Sequence, residues 1–303
     1  MLKHFNTPIL FLIFNRTDTT QIVFNEIKKI KPKSLYVAAD GPRLSVKGET
    51  KDCEATRDII KQVDWDCEVH TLFRDNNLGC RIAVSTAIDW FFTQVEEGII
   101  LEDDCLPDQS FFWFCQELLD YYRTDKRVMH IGGTNFQFGE KVGEASYYFS
   151  RLAHVWGWAS WRRAWQLYDV KMRTLPAFIS ENKISHIFED KRVQKNWIGN
   201  LKKVYNGANT WDYQWAYANL VNSSFCVIPN INLISNIGFG KNSTHTSDQG
   251  DKLANMPIGN IPYITHPPKL EYAIAADHFT NTKVFNPPSL IKRVKNKIKK
   301  ILG

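Results

Sequence analysis

The sequence predicts an α/β protein built on a mostly parallel sheet with helices on both faces. Two observations carry that reading. Short apolar, β-branched runs alternate with stretches of helical periodicity over the first hundred residues, the pattern of strands buried between helical layers. Polar or charged residues also stand at the exit of each run, where open parallel sheets place their ligands.

Strands are expected at 9–14, 35–39, 68–73 and 99–101, with helices at about 19–31, 49–63 and 80–96. In the last of these helices Ile82, Ala83, Ala87, Trp90 and Phe91 recur at helical spacing. The strand exits are Asn15-Arg16, Asp40-Gly41, the segment 74–79 and Glu102-Asp103-Asp104. A helix at about 108–123 and a strand near 127–132 follow. Beyond them the character changes, with Trp156, Trp158, Trp161 and Trp165 clustered. Helices are expected at about 184–205 and 212–221, short strands near 225–236, and loops over 237–268, which is rich in Gly, Ser, Asn, Thr and Pro.

The 303 residues suit one large α/β domain with a decorated second half, or two average domains. A composition of 44% hydrophobic and 23% charged residues excludes disordered, collagen-like and coiled-coil proteins. No apolar run reaches the roughly 20 residues of a membrane-spanning helix. The run 8–14 ends in Asn15-Arg16 and reads as a buried strand, not a signal peptide. The six cysteines form no Cys-x-x-Cys pair and are expected as reduced cytosolic thiols. The net charge of +6 is matched by Lys292, Arg293, Lys295, Lys297, Lys299 and Lys300 alone, so residues 1–289 are neutral. This is a neutral globule with a basic tail, not a nucleic-acid binder. In that tail, 289–303, Leu290, Ile291, Val294, Ile298, Ile301 and Leu302 fall on one helical face. One reading is an exposed solubilising helix. The other is an amphipathic helix on an anionic membrane surface, each basic residue adding roughly 1 kcal/mol.

Three constellations carry chemistry. Glu102-Asp103-Asp104 follows the strand Ile99-Ile100-Leu101 directly. Adjacent carboxylates repel, so a buried strand end keeps three of them only with a cation nearby or with full solvation. A hard cation such as Mn²⁺ or Mg²⁺ suits them, while the plainer alternative is a solvated turn capping the helix near Asp108. Asp212, inside Trp211-Asp212-Tyr213-Gln214-Trp215, reads either as a helix cap or as a partly desolvated base. The loop 236–245 combines two glycines with Lys241, Ser243, Thr244 and His245, donors suited to a phosphate. Near Gly79 and Arg81 a turn opens a helix whose positive end suits a diphosphate, with a plain turn as the default. His154, in the aromatic cluster, is expected as a core or wall residue. No zinc spacing, nucleophile elbow or Walker loop is present.

Taken in order, these segments resemble a bacterial sugar-nucleotide-dependent glycosyltransferase of the GT-A fold, and within it the inverting N-acetylglucosaminyltransferase I group. The resemblance rests on the run 8–17 with its Asn15-Arg16-Thr17 exit, on Ala39-Asp40-Gly41 and on the segment 100–112 with its acidic triplet. It extends through 154–165, "HVWGWASWRRAW", to Trp211-Asp212 and 235–245. It implies a nucleotide-sugar-binding half over 1–135 and an acceptor-binding, catalytic half over 136–288. By position it implies Asp104 as the metal ligand to Mn²⁺ or Mg²⁺ and Asp212 as the catalytic base. Donor contacts would come from Asn15, Arg16, Asp40, Arg81, Glu102, Asp103, Ser243 and His245, and acceptor contacts from Trp158 and Trp211. The donor implied is a nucleoside-diphosphate sugar, most simply a UDP-sugar of N-acetylglucosamine or a related hexose. The acceptor implied is a glycan or lipid-linked glycan of surface polysaccharide synthesis. That group's stem and transmembrane anchor have no counterpart, so a cytoplasmic enzyme, peripheral on the inner membrane face, is expected. The rivals are a nucleotidyltransferase, which typically follows its first strand with a glycine-rich loop, and an inactive glycan- or nucleotide-binding module.

Overall fold

The computed structural model describes residues 4–239 and 251–285. Their centre is an eight-stranded sheet. Its first strands are β1 (Ile9–Ile13), β2 (Ser34–Ala39), β3 (Glu68–Phe73) and β4 (Glu97–Glu102). After a short β5 (Cys105–Pro107) come β6 (Val128–Gly132), β7 (Tyr147–Ser150), β8 (Trp158–Trp161), β9 (Phe225–Pro229) and β10 (Ile234–Asn236). The order is β3-β2-β1-β4-β8-β6-β9-β7, and β5 pairs with β10 in a separate ribbon. The pairings run parallel except at β8 and β7, each antiparallel to its neighbours, so the sheet is mostly parallel as expected.

All five residues of β1 are buried, and successive side chains serve opposite faces. Ile9, Phe11 and Ile13 enter a core shared with α1 (Thr17–Ile30) and α4 (Gln109–Tyr121). Leu10 and Leu12 enter the opposite core, shared with α3 (Cys80–Gln94), the short α5 (Arg162–Trp165) and α8 (Asp212–Val221). Full burial on both sides is why these strands read as unbroken apolar runs. The helix α2 (Glu49–Asp58) gives way to a 3₁₀ turn over Ile59–Gln62, so the helix expected at 49–63 is tighter at its end. A third core gathers α6 (Leu175–Ser180), α7 (Lys191–Tyr205) and the outer face of α8.

One local expectation changes, and two elements appear that had not been expected. The helix expected at 184–205 is two elements, because the Asp190 carboxylate accepts the Arg192 N–H at 2.8 Å and starts α7 afresh. The aromatic stretch 154–165 holds a central strand, β8, which pairs with β4 on one side and β6 on the other. The C-terminal segment forms α9 (Ile274–Phe279) and a π turn over Thr280–Phe285. It is tied back by Asp277, which accepts from the Ser150 hydroxyl at 2.5 Å and the Arg151 N–H at 3.0 Å. The Trp197 indole N–H also donates to Asn281 at 2.7 Å. The tail 289–303 lies outside the described residues. Among those described, no helix is long and apolar enough to cross a membrane.

On β4, Gly98 is closed in by the sheet and by α3. A Cβ there would overlap the Phe91 ring and crowd the Pro8 carbonyl oxygen at 2.9 Å. Gly98→Ala should therefore lower stability by about 1–3 kcal/mol, the usual cost of overpacking. Urea unfolding measures it, and an unchanged midpoint would refute this packing.

Candidate functional site

The chain direction of β1 to β4 delivers four exits to one edge of the sheet. Asn15, Arg16, Asp40, Arg74, Glu102 and Asp103 line a single cavity of about 230 Å³ there. Asp40, Arg74 and Asp103 sit immediately after β2, β3 and β4, Glu102 is the last residue of β4, and Asn15 and Arg16 lie two and three residues past β1.

At its centre the Arg16 guanidinium bonds Asp103 and lies 3.0 Å from an Asp104 oxygen. Burial works against its charge, but the two carboxylates outweigh burial and hold Arg16 firmly protonated. Burial pushes the Asp103 carboxyl up to about 6 despite Arg16, which acts to lower it. Glu102 is pushed up to about 8, by burial first and then by Asp104, Asp103 and Asp212. The acidic triplet is thus not a solvated helix cap. Asp108 caps α4 instead, accepting the Ser110 N–H at 2.8 Å. The ribbon of β5 and β10 carries residues 237 and 238 over the triplet, and the Ile237 N–H donates to the Asp104 carbonyl at 2.9 Å. Only glycine fits at 238, where a Cβ would overlap the Asp104 side chain and lie 2.7 Å from Arg16.

Asp40 shapes the far wall. Its carboxylate accepts from the N–H groups of Gly41 (2.9 Å), Leu78 (2.9 Å) and Gly79 (3.0 Å). These bonds hold the turn just ahead of α3, where a diphosphate was expected, and Gly79 and Cys80 at the start of that helix line the cavity. The donor contact expected of Arg81 is corrected. Its backbone N–H goes to Asn209 and its guanidinium reaches the Val170 carbonyl at 2.5 Å, away from the cavity. Asn15 donates to Glu49 at 2.8 Å. Glu49 is 2% exposed and also grips Arg43 through the backbone N–H and the guanidinium. Sequence reasoning missed Glu49, because one acid in a polar stretch carries no signal of burial.

Trp158 and Trp211 do not present ring faces to an acceptor. They are 0% and 2% exposed and stack on each other at 5.8 Å, with Trp165 and Trp215 completing the cluster. A strand at the middle of a sheet buries both faces, which the unrecognised β8 explains. A second cavity, of about 180 Å³, has Asp212 in its wall together with Phe136, Trp156, Trp197, Tyr213 and Phe285. Asp212 is the first residue of α8, not its cap. The cap position is Trp211, and the Asp212 carboxylate accepts from the Thr210 hydroxyl. Its charge acts on Glu102 and Cys80, both of which line the first cavity. His154 is a buried wall residue, 2% exposed, as expected. Ser243 and His245 lie outside the described residues.

A hard cation fits the acidic corner. The second oxygen of Asp103, Oδ2, is buried without a partner, and Asp104 stands at the rim. Among the described residues no three His, Cys, Asp or Glu side chains converge as a complete metal cage. A cation here would take its remaining ligands from phosphate and water, which is how Mg²⁺-type ions usually bind.

No protein-family model matches the chain, and no curated protein matches it in sequence. Among solved structures it is similar to the UTP-bound UGPase from Acinetobacter baumannii, at 7% identity over 76% of this chain and 88% of that one, TM-score 0.38. It is also similar to mouse xyloside xylosyltransferase 1 in its apo form (11%, 71% and 81%, TM-score 0.35). S. aureus TarS 1–349 is a third (11%, 59% and 49%, TM-score 0.35). At TM-scores below 0.5 these likenesses assign neither a family nor a reaction.

Arg16 is the counter-ion of the corner, so Arg16→Met should strand two carboxylates and cost about 3–5 kcal/mol at pH 7.5. Without Arg16 the folded Asp103 binds its proton more tightly still, above its present value of about 6. An acid raised in the folded state costs stability above its unfolded pKa and less as pH falls through the folded one. The loss should therefore shrink toward pH 5, and urea unfolding at both pH values that shows a pH-independent loss would contradict this.

Proposed function

We propose that this protein is a metal-dependent, inverting glycosyltransferase of GT-A type that moves a sugar from a nucleoside-diphosphate donor, most simply a UDP-sugar. The observation that carries the reading is the convergence of four strand exits on one cavity, with Asp212 in the wall of the next. The first cavity supplies cations and carboxylates for a sugar nucleotide, and the second supplies a carboxylate for an acceptor. N-acetylglucosamine or a related hexose is the proposed sugar, and a glycan or lipid-linked glycan of surface polysaccharide synthesis the proposed acceptor.

Asp104 with Asp103 would hold Mn²⁺ or Mg²⁺, which when bound neutralises charge developing on the departing diphosphate. Arg16 keeps the two carboxylates together and adds a fixed positive charge beside the leaving group. Asn15 and Asp40 shape the nucleotide pocket, Asn15 held by Glu49 and Asp40 holding the turn at 78–79. The Thr210 hydroxyl orients Asp212. Asp212 accepts the proton of the acceptor hydroxyl while that oxygen bonds the anomeric carbon and the bond to the diphosphate breaks. Ser243 and His245 are proposed as diphosphate contacts. The basic tail is proposed to rest on the anionic inner face of a membrane, and loss of vesicle binding on truncation after Pro288 checks it.

Incubation with a panel of sugar nucleotides and Mn²⁺ tests the reaction. Slow release of nucleoside diphosphate is expected even without acceptor, while release of pyrophosphate from nucleoside triphosphate and sugar phosphate would mark a nucleotidyltransferase instead. EDTA and Asp104→Ala should each abolish turnover, and full activity under either would remove the metal from the mechanism.

Asp212→Asn should keep the melting temperature and lower turnover by a factor on the order of 10² to 10⁴. Near-normal turnover would make Asp212 structural, and a retained anomeric linkage in the product would overturn inversion.

A further inference from the structure

The second cavity has a chemistry of its own. Its walls are Trp156, Trp197, Tyr213, Phe136 and Phe285, and its polar groups are few. Asn196 and Asn200 stand one turn apart on α7, which places both amides on one helix face toward the cavity. Asn200 donates to the Tyr213 hydroxyl at 3.1 Å, which leaves its carbonyl oxygen to accept. No hydrogen bond within the described residues commits the Asn196 amide. The Trp197 indole N–H is spent on Asn281.

Charge is as telling as shape. Among the described lining residues there is no lysine or arginine, and the fixed charge is the single carboxylate of Asp212. His154 adds none: its Nδ1 lies 2.9 Å from the Thr134 carbonyl, an acceptor only, so Nδ1 carries the proton. Burial then pulls the imidazole down to about 4, and it stays neutral. A phosphate or carboxylate entering here would meet a like charge with no counter-ion, the arrangement by which a site rejects a partner. A neutral ring with apolar C–H faces and hydroxyl edges meets aromatic walls and two amides instead.

We propose that this cavity is an acceptor subsite for one uncharged pyranose ring, held by the amides of Asn196 and Asn200 against the aromatic wall, with its reacting hydroxyl at Asp212. The inference rests on the glycosyltransferase reading and narrows its acceptor: the ring nearest the chemistry is neutral, and any acidic or phosphorylated part of the acceptor lies outside the cavity.

Saturation-transfer NMR on the whole chain with UDP and diamagnetic Mg²⁺ present tests it without any turnover. The probes are methyl glycosides of glucose, galactose, mannose and N-acetylglucosamine, set against methyl glucuronide and glucose 6-phosphate. At least one neutral glycoside should bind, and the two anions should bind at least tenfold more weakly. Asn196→Ala and Asn196→Asp should each weaken the neutral glycoside at least tenfold, while calorimetry on the same samples shows UDP binding retained. Equal binding of the anions, unchanged binding in both variants, or no glycoside binding beside intact UDP binding each overturns the proposal and leaves the donor site standing. Absence of UDP binding in the unaltered chain would instead strike at the glycosyltransferase reading itself.

Discussion

The site depends on one positive charge. Three consecutive acidic residues end a buried strand, and water cannot solvate all of them there. Arg16, delivered by the neighbouring parallel strand, bonds Asp103 and sits 3.0 Å from Asp104. The pairing of β1 with β4, Leu12 opposite Glu102, sets the distance between the two exits. A one-residue slip would turn the side chains of β1 to the wrong faces, mixing the two cores and taking the guanidinium from the acids. Fold register and site electrostatics are therefore the same constraint.

Around that charge the protein spends its own polar groups on shape. Asp40 accepts three backbone N–H groups and so fixes the turn that begins α3. Glu49 fixes Asn15 and Arg43. Both acids are committed to the chain, whereas the Oδ2 atom of Asp103 is buried without a partner. A pocket whose walls are already bonded keeps its geometry when a ligand arrives, and less binding energy is lost to ordering it.

The first half of the fold was legible because β1, β2 and β4 are buried on both faces. Runs such as Ile9-Leu10-Phe11-Leu12-Ile13 have no competing helical period, and the polar residues at their ends stand out. The convergence of Arg16, Asp40 and the acidic triplet followed from strand direction alone. What was not legible depends on long-range pairing. Trp158-Ala159-Ser160-Trp161 is too short to announce a strand, and its burial comes from β4 and β6, which are distant in sequence. Trp158 and Trp211 therefore looked like available ring faces, whereas Trp197, on the helical face of α7, contributes to the cavity. Arg81 was misplaced because sequence position shows which helix carries a side chain but not which carbonyl it will reach. Asn196 and Asn200 carried no signal at all, since asparagines on a helix are ordinarily solvated.

The insertion of β8 between β4 and β6 has an evolutionary consequence. The strand that ends in the acidic triplet is hydrogen-bonded directly to a strand from the aromatic half, Ile99 opposite Ala159 and Ile100 opposite Trp158. The two halves are stitched through the centre of one sheet and are not beads on a linker. A chimera that exchanged either half would have to match this seam, strand for strand, or leave the bare edge of β4 open to pairing with other chains. Side chains and loops along the cavity rims can change without touching that seam.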